Sequence, residues 1–390
     1  MMDNYQTEEI EKTLRLAKQQ QTLVNVLQNS SSIFYTGRVI AMDDEGTILT
    51  TYTENGLANG LVYLTYPDIF DVDFDSDDLV RMEARIQTAQ QLHLFGTQAS
   101  SMKVNDRVDL LTQVLGNAYV YGQSLLLIKQ NGQMLEGFIQ MLDDEQLTVL
   151  SFDKFDNSRI ESVRLNKTAI RSVEFLGQEL QLLSRSKAQL QAPHQEPVVE
   201  TGALPIFASL HRAAETGHRL LLVPKVNPDL FFIGQVKAVN AEVAILAVVD
   251  MNGQFGGYEL IRLKEIKKLQ LKSDYLRLIN HLVSLNLAQG TYRQPILNDD
   301  RSFDRTVDLI YTTVRQAVYF RRFLRFKTEK GKAYLGIPYQ LEGGKVTFRY
   351  LNRDDPTRTK RKTLELGKID ELAFGYLDAE LTQRRVRGDH

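Results

Sequence analysis

Residues 134–152 read MLEGFIQMLDDEQLTVLSF: an apolar run with a glycine at 137, an acidic turn and a second apolar run. This pattern predicts two short strands joined by a turn, and a glycine inside a strand is typical of a bend or a close backbone approach. The phrase recurs about every hundred residues, and each glycine is followed 32 or 33 positions later by an isoleucine. The four pairs are Gly37 and Ile69, Gly137 and Ile170, Gly234 and Ile266, and Gly336 and Ile369. A fixed period predicts four copies of one module, here called repeats 1 to 4.

Repeat 2 shows the plan of the module most clearly. Apolar residues at helical spacing predict a helix over residues 107–115, which Gly116 ends. Five strands are predicted after it, over residues 124–130, 134–142, 147–152, 159–165 and 169–176, with Asn131-Gly132 as a hairpin signal between the first two. Repeats 3 and 4 follow the same order.

Repeat 1 departs from this plan. A helix predicted over residues 7–28 leaves only residues 30–34 before the strand that carries Gly37. No first strand is therefore predicted there, and the sheet of repeat 1 is expected to be incomplete or to be completed by a neighbour.

Five short strands in an open sheet would leave exposed edges, and closure of a bent sheet into a small barrel removes them. The sequence therefore predicts an α+β, mainly β protein of four tandem five-stranded barrels, each preceded by a helix and joined to the next by a helical linker. The predicted domains cover residues 1–95, 104–192, 203–290 and 301–390. Residues 193–205 carry three prolines and a glycine, which indicates a linker.

The segment from Leu165 to Phe175, LNKTAIRSVEF, resembles the second motif of the Sm-like fold, the small barrel of Sm, LSm and Hfq proteins. Lys167 matches a lysine of the Hfq version, although Thr168 stands where that version has histidine. Asp43 and Asp143 match the aspartate of the first motif. The resemblance implies four divergent Sm-like (SH3-like) barrels that bind RNA. The base-gripping asparagine and the Arg-Gly of the Sm motifs are missing in all four repeats, so uridine binding in the manner of Sm rings is not expected.

Composition narrows the class of protein. The chain has 390 residues and no cysteine, which excludes disulfides and thiol catalysis and is typical of the reducing cytoplasm. No secretory signal and no membrane span are predicted. The motifs of common hydrolases, metalloproteases and nucleotide-binding loops are missing, so the chain is expected to be no enzyme and to have no cofactor and no metal site.

Charge is distributed unevenly along the chain. Residues 1–90 carry 6 Lys and Arg against 15 Asp and Glu, whereas residues 303–390 carry 19 against 12. Basic residues near the end of the chain alternate with aromatic residues, a pattern that favours contact with phosphates and unpaired bases. The predicted binding residues are Lys167, Arg321, Arg322, Arg325, Lys327, Arg358, Lys360, Arg361 and Lys362. The alternative is that the aromatic residues form core and the charges an ordinary solvated face.

Two functions from different classes follow. The first is a non-catalytic nucleic-acid-binding protein, with RNA or another single strand as partner. The second is a scaffold or regulatory subunit that binds protein partners or itself through sheet edges, with the acidic first repeat and the basic last repeat pairing.

Overall fold

The computed structural model describes residues 4–29, 34–105, 107–329, 331–351 and 359–387. The chain divides into two compact units, residues 1–194 and 195–390, here called the N-terminal and C-terminal units. The division lies inside the proline-bearing stretch 193–205. Within the described residues, every helix is too short or too polar to cross a lipid bilayer.

The N-terminal unit contains repeats 1 and 2, each of which begins with a helix. Its helices are α1 (Asn4–Gln20), α2 (Asp77–Gln91), α3 (Leu110–Tyr121), α4 (Gln178–Arg185) and α5 (Lys187–Leu190). Its strands are β1 (Leu23–Gln28), β2 (Phe34–Met42), β3 (Gly46–Tyr52), β4 (Ala58–Thr65), β5 (Ile69–Asp73), β6 (Ser124–Lys129), β7 (Met134–Leu142), β8 (Gln146–Ser151), β9 (Glu161–Asn166) and β10 (Ile170–Phe175).

These ten strands form one antiparallel sheet in the order β5-β1-β2-β3-β4-β10-β6-β7-β8-β9. In each repeat the first strand lies between the second and the fifth. The two repeats are joined where β4 pairs with β10, with Tyr63 opposite Val173 and Leu61 opposite Phe175. The sheet ends at β5 on one side and at β9 on the other.

The C-terminal unit contains repeats 3 and 4 and has the same plan. Its helices are α6 (Ala203–Thr216), α7 (Asp274–Gln289), α8 (Leu309–Phe320) and α9 (Leu377–Arg387). Its strands are β11 (Val198–Glu200), β12 (Arg219–Pro224), β13 (Phe232–Val239), β14 (Val243–Val249), β15 (Phe255–Arg262), β16 (Ile266–Lys272), β17 (Leu324–Thr328), β18 (Ala333–Glu342), β19 (Lys345–Leu351), β20 (Thr359–Glu365) and β21 (Ile369–Phe374).

These eleven strands form one sheet in the order β11-β16-β12-β13-β14-β15-β21-β17-β18-β19-β20. Repeats 3 and 4 are joined where β15 pairs with β21, and Tyr258 lies opposite Phe374. The short strand β11 extends the sheet beyond β16, and β20 is the strand at the other end.

The apolar cores run across the joints between repeats. In the N-terminal unit one buried cluster combines Ile48 and Tyr63 of repeat 1 with Leu115 and Val173 of repeat 2. In the C-terminal unit a second cluster combines residues of β14 and β15 with residues of α8, β17 and β19. Because burial of apolar surface is the main favourable contribution to folding, each pair of repeats shares part of its stabilisation.

The prediction of four small Sm-like barrels is wrong. Within the described residues the strands lie in two continuous antiparallel sheets of 10 and 11 strands, and neither sheet closes on itself. The physical reason lies at the edges. In a single repeat, β4 or β15 would have one unpaired edge, which closure into a barrel was expected to protect. Each of these edges is paired instead with a strand of the next repeat. Because the small barrels are missing from the described residues, the expected membership of the Sm-like fold is also wrong.

The prediction that repeat 1 lacks a first strand is wrong as well. The helix ends at Gln20, and Gln21 has a positive φ of 56°, which breaks the helix. Residues 23–28, LVNVLQ, form β1 instead and pair with both β2 and β5. Leucine and valine occur in both helices and strands, and the tertiary pairing decides between them here.

Candidate nucleic-acid interface

Ion pairs within the C-terminal unit hold three of the predicted binding residues, Arg322, Arg325 and Lys327. The Arg322 guanidinium lies 2.8 Å from the Glu380 carboxylate. The Lys327 Nζ lies 2.8 Å from Glu371 Oε1, and Glu371 is buried. A cation that already has a carboxylate partner attracts a phosphate less strongly.

Arg325 lies in a similar environment. Its Nη2 lies 3.0 Å from Glu259 Oε2, and its guanidinium lies 5.6 Å from the centre of the Tyr376 ring. Glu259 is only 3% exposed, and burial raises its pKa to about 7 although Arg325 pulls that pKa downward. The Arg325 side chain is 42% exposed, so it supplies a partly solvated positive charge beside a buried carboxylate.

The aromatic residues near these cations divide into two groups. Phe323 and Phe326 are buried, and the Phe326 ring stacks on Phe348 with ring centres 4.3 Å apart. For these two residues, the alternative that the aromatic side chains form part of the core is correct. Tyr319 and Phe320, at the end of α8, are exposed.

The last group of predicted cations lies on the end strand β20. Lys360 and Arg361 are exposed, and the Lys362 Nζ lies 5.6 Å from the centre of the Tyr334 ring. Arg321 ends α8 with a positive φ of 52° and is exposed. Arg358 lies outside the described residues.

The cations of β20 do not share one face of the sheet, because successive side chains of a strand point to opposite faces. Arg361 lies on the face opposite to Lys360 and Lys362. It pairs directly across from Arg349 of the neighbouring strand β19, and Arg349 is exposed.

We call Thr347, Arg349, Arg361, Thr363 and Tyr339 the arginine strip. Thr347 lies opposite Thr363, and their hydroxyl oxygens are 3.0 Å apart. The Arg349 guanidinium lies 5.6 Å from the centre of the Tyr339 ring, which is 43% exposed. Guanidinium and hydroxyl groups donate hydrogen bonds to phosphate oxygens, and an exposed tyrosine ring can stack on a base.

Two like charges directly opposite each other on neighbouring strands are destabilising. Arg349 and Arg361 have this arrangement on the exposed face of the strip. An anion bound between them would remove the repulsion. Anion binding at the strip is therefore a chemically reasonable hypothesis and belongs to the proposal below.

Sequence reasoning missed Arg349 and Tyr339. Arg349 follows Thr347 by two residues, so their shared face could be read from the strand period. Its position across from Arg361 depends on the cross-strand register, which the local sequence does not specify.

Lys167 lies far along the chain from the other predicted residues, in the N-terminal unit. It begins a 3-10 turn, and its Nζ donates a hydrogen bond of 3.2 Å to Thr112 Oγ1. It lines a cavity of about 890 Å³. The carboxylates that line this cavity are those of Glu11, Asp44, Glu45, Asp68, Asp109 and Asp144. An acidic surrounding of this kind disfavours a phosphate at Lys167.

Comparisons with known proteins do not identify a family. No family model matches the chain. No curated protein matches it either.

Among solved structures, one match is a putative DNA polymerase III beta subunit from Eubacterium rectale, with 8% sequence identity and a TM-score of 0.13. The match covers 92% of this chain and 81% of that one. Another match is a DNA polymerase III beta subunit sliding clamp from Bartonella birtlesii, with 9% sequence identity and a TM-score of 0.11. It covers 94% of this chain and 83% of that one.

Proposed function

We propose that this chain is a non-catalytic protein that binds single-stranded nucleic acid, with RNA as its main partner, on the arginine strip. The supporting observation is that Arg349 and Arg361, two exposed cations, lie directly opposite each other on neighbouring strands, where a backbone phosphate would neutralise them. The exposed Thr363 hydroxyl supplies a further donor, and Tyr339 supplies a stacking surface. The proposal depends on these side chains and not on the resemblance to Sm proteins.

Protection of the sheet edge is the competing explanation for the basic residues. Natural proteins place lysine and arginine on edge strands to prevent aggregation. That explanation accounts for Lys360, Arg361 and Lys362, which lie on the end strand β20. It does not cover Arg349, because β19 is paired on both sides, with β18 and β20.

The test is a binding titration of the full chain with a mixed-sequence single-stranded RNA over a salt series. The variant Arg349→Gln, Arg361→Gln should bind at least tenfold more weakly. The slope of log K against log salt should fall by about 1.4, because each lost phosphate contact changes it by about 0.7 for single strands.

A matched control removes the same charge elsewhere in the C-terminal unit. The variant Arg305→Gln, Arg315→Gln loses two exposed guanidinium groups outside the strip. It should keep most of the affinity. Equal losses in the two double variants would contradict a local site and would indicate only a diffuse attraction to positive charge.

A second function, self-assembly through strand addition, is favoured by a separate observation. Inside each unit, repeats already associate by pairing one edge strand with another. The end strand β5 of the N-terminal unit carries Asp71 and Asp73 and exposes Phe70, whereas β20 is basic. Opposite charge favours pairing of β5 of one copy with β20 of a second copy.

Light scattering over a range of protein concentration and salt tests this second function. Lys360→Glu and Asp71→Lys should each weaken association, because each places like charges at the contact. The double variant should restore it, since the charges are again opposite. A chain that is monomeric in every condition contradicts the idea.

A further inference from the structure

A second cavity, of about 280 Å³, lies in the C-terminal unit and belongs neither to the arginine strip nor to the sheet edges. It is bounded by residues 296–303, by α8, by the start of β17 and by the end of β21. Its walls combine polar side chains with the rings of Phe303, Phe320, Phe323 and Phe374. Small-molecule sites combine such walls with a few polar groups, and this volume suits a small ligand.

Arg301 is the unusual residue of this cavity. Its backbone N–H donates a hydrogen bond of 3.1 Å to the Tyr258 hydroxyl, and its guanidinium lies 5.4 Å from the centre of the Phe374 ring. Arg301 is largely buried. Within the described part of the chain, no carboxylate lies within ion-pairing distance of this guanidinium. Burial, with a smaller contribution from Arg322, lowers the pKa of Arg301.

The charges around the cavity do not balance. Arg322 also lines it and forms the 2.8 Å pair with Glu380, which is the carboxylate of the lining. Two guanidinium groups thus face one carboxylate and leave one excess positive charge. A charged group that is largely removed from water and lacks a partner is costly unless a ligand compensates it.

We propose that this cavity binds a small monoanion with an apolar body, a carboxylate that carries an aromatic ring or a short hydrocarbon chain. The carboxylate would accept hydrogen bonds from the Arg301 guanidinium, for which its planar geometry is suited. The hydrocarbon would contact the phenylalanine rings. A single negative charge matches the single excess positive charge, whereas a dianionic phosphate would exceed it.

The test is isothermal titration calorimetry of the full chain with three probes: phenylacetate, 4-phenylbutyrate and octanoate. At least one should bind, and its neutral amide should bind at least tenfold more weakly because the charge is lost. Failure of all three carboxylates, or equal binding of acid and amide, would overturn the proposal.

Variants locate the binding. Arg301→Gln should weaken the best probe at least tenfold, and Arg301→Lys should lose less because the charge remains. Arg305→Gln is the matched control, since it removes an exposed guanidinium nearby in the sequence, and it should bind as the parent chain does. Equal losses in Arg301→Lys and Arg301→Gln, or no loss in either, would overturn recognition by this charge.

This site is separable from the proposed nucleic-acid function. The variant Arg349→Gln, Arg361→Gln should bind the carboxylate probe as tightly as the parent chain. Phe303→Leu, which keeps every charge, should weaken the probe through lost ring contact. An unchanged affinity in Phe303→Leu would show that the probe binds elsewhere and would overturn the proposal.

Discussion

The repeated glycines have one physical cause. A Cβ added at Gly37, Gly137, Gly234 or Gly336 would lie only 1.9–2.6 Å from a carbonyl oxygen of the neighbouring third strand of the repeat. Real Cβ atoms essentially never come that close to another heavy atom. The second and third strands of every repeat therefore approach each other more closely than any side chain allows, which explains why the sequence period is marked by glycine.

Gly137→Ala should lower the free energy of unfolding by about 2–3 kcal/mol, because the added methyl group meets the Leu150 carbonyl oxygen and the Val149 side chain. Denaturant titration measures the change. Gly116 does not end the helix as predicted but lies inside α3, and no atom beyond its chain neighbours and the adjacent backbone of that helix lies within 4 Å of an added Cβ. Gly116→Ala is therefore the matched control. It should raise stability by about 0.5–1 kcal/mol. Equal effects at the two positions would contradict the explanation.

Asp68 makes stability depend on pH. It is buried, its carboxylate lies 2.7 Å from Arg171 and accepts a hydrogen bond of 2.6 Å from Gln28, and burial raises its pKa from 3.8 to about 6. Between these two values the folded chain binds more protons than the unfolded chain. The contribution of Asp68 to stability is therefore largest in acid and falls as pH rises from about 4 to about 6.

Asp68→Asn should remove this dependence, because asparagine does not titrate. The quantity to measure is the difference in unfolding free energy between the parent chain and the variant at pH values from 4 to 7.5. As the pH rises, the parent chain should lose stability relative to the variant, and above about pH 6 the difference should become constant. A difference that stays constant over this range would contradict the prediction.

At the scale of elements, aspartate side chains cap the helices that open repeats 2 and 4. Asp109 accepts a hydrogen bond of 2.7 Å from the Thr112 N–H, and Asp308 accepts one of 2.9 Å from the Tyr311 N–H. Each carboxylate caps the first turn of the helix that opens a repeat, α3 in repeat 2 and α8 in repeat 4. In repeat 4 the cap places the start of α8 at Leu309.

Asp308→Ala should lower the free energy of unfolding by about 1 kcal/mol, because the Tyr311 N–H loses its acceptor. Asp308→Asn keeps an acceptor oxygen at the same place and should change stability by only a few tenths of a kcal/mol. Thermal and denaturant unfolding measure both variants. A similar loss in alanine and asparagine would indicate that the charge and not the cap matters.

At the scale of the whole molecule, each compact unit is a pair of repeats. The buried cluster that contains Tyr63 and Ile48 is completed by Leu115 and Val173 of the next repeat. Strand β4 is paired on one side by β10 of that repeat. A single repeat would therefore expose both an apolar surface and an unpaired strand edge.

Residues 1–194, expressed alone, should fold cooperatively, whereas residues 1–95 should not. Circular dichroism and the dispersion of amide signals in NMR spectra distinguish the two outcomes. The shorter fragment corresponds to one of the four predicted domains, so the experiment also tests those boundaries. A folded, monomeric fragment 1–95 would show that the repeat is an independent domain after all.

The proposed nucleic-acid site illustrates what could not be read from the sequence. The sequence shows which cations are neighbours along the chain, but the acids that pair with them are remote: Glu259 is 66 residues from Arg325, and Glu371 is 44 residues from Lys327. Arg349 was missed because its importance depends on the strand that faces it. A local pattern cannot distinguish a free cation from one held by a remote carboxylate.

The sequence by itself determined the local structure: the period of about a hundred residues, the strands of repeats 2, 3 and 4, and the glycine of every second strand. These depend on neighbouring residues and on backbone geometry. Only the tertiary structure decided that edge strands join the repeats into two sheets, and that most cations near the start of β17 are paired with acids. Both are contacts between distant residues, whose register and partners are chosen by the energy of the whole packed unit.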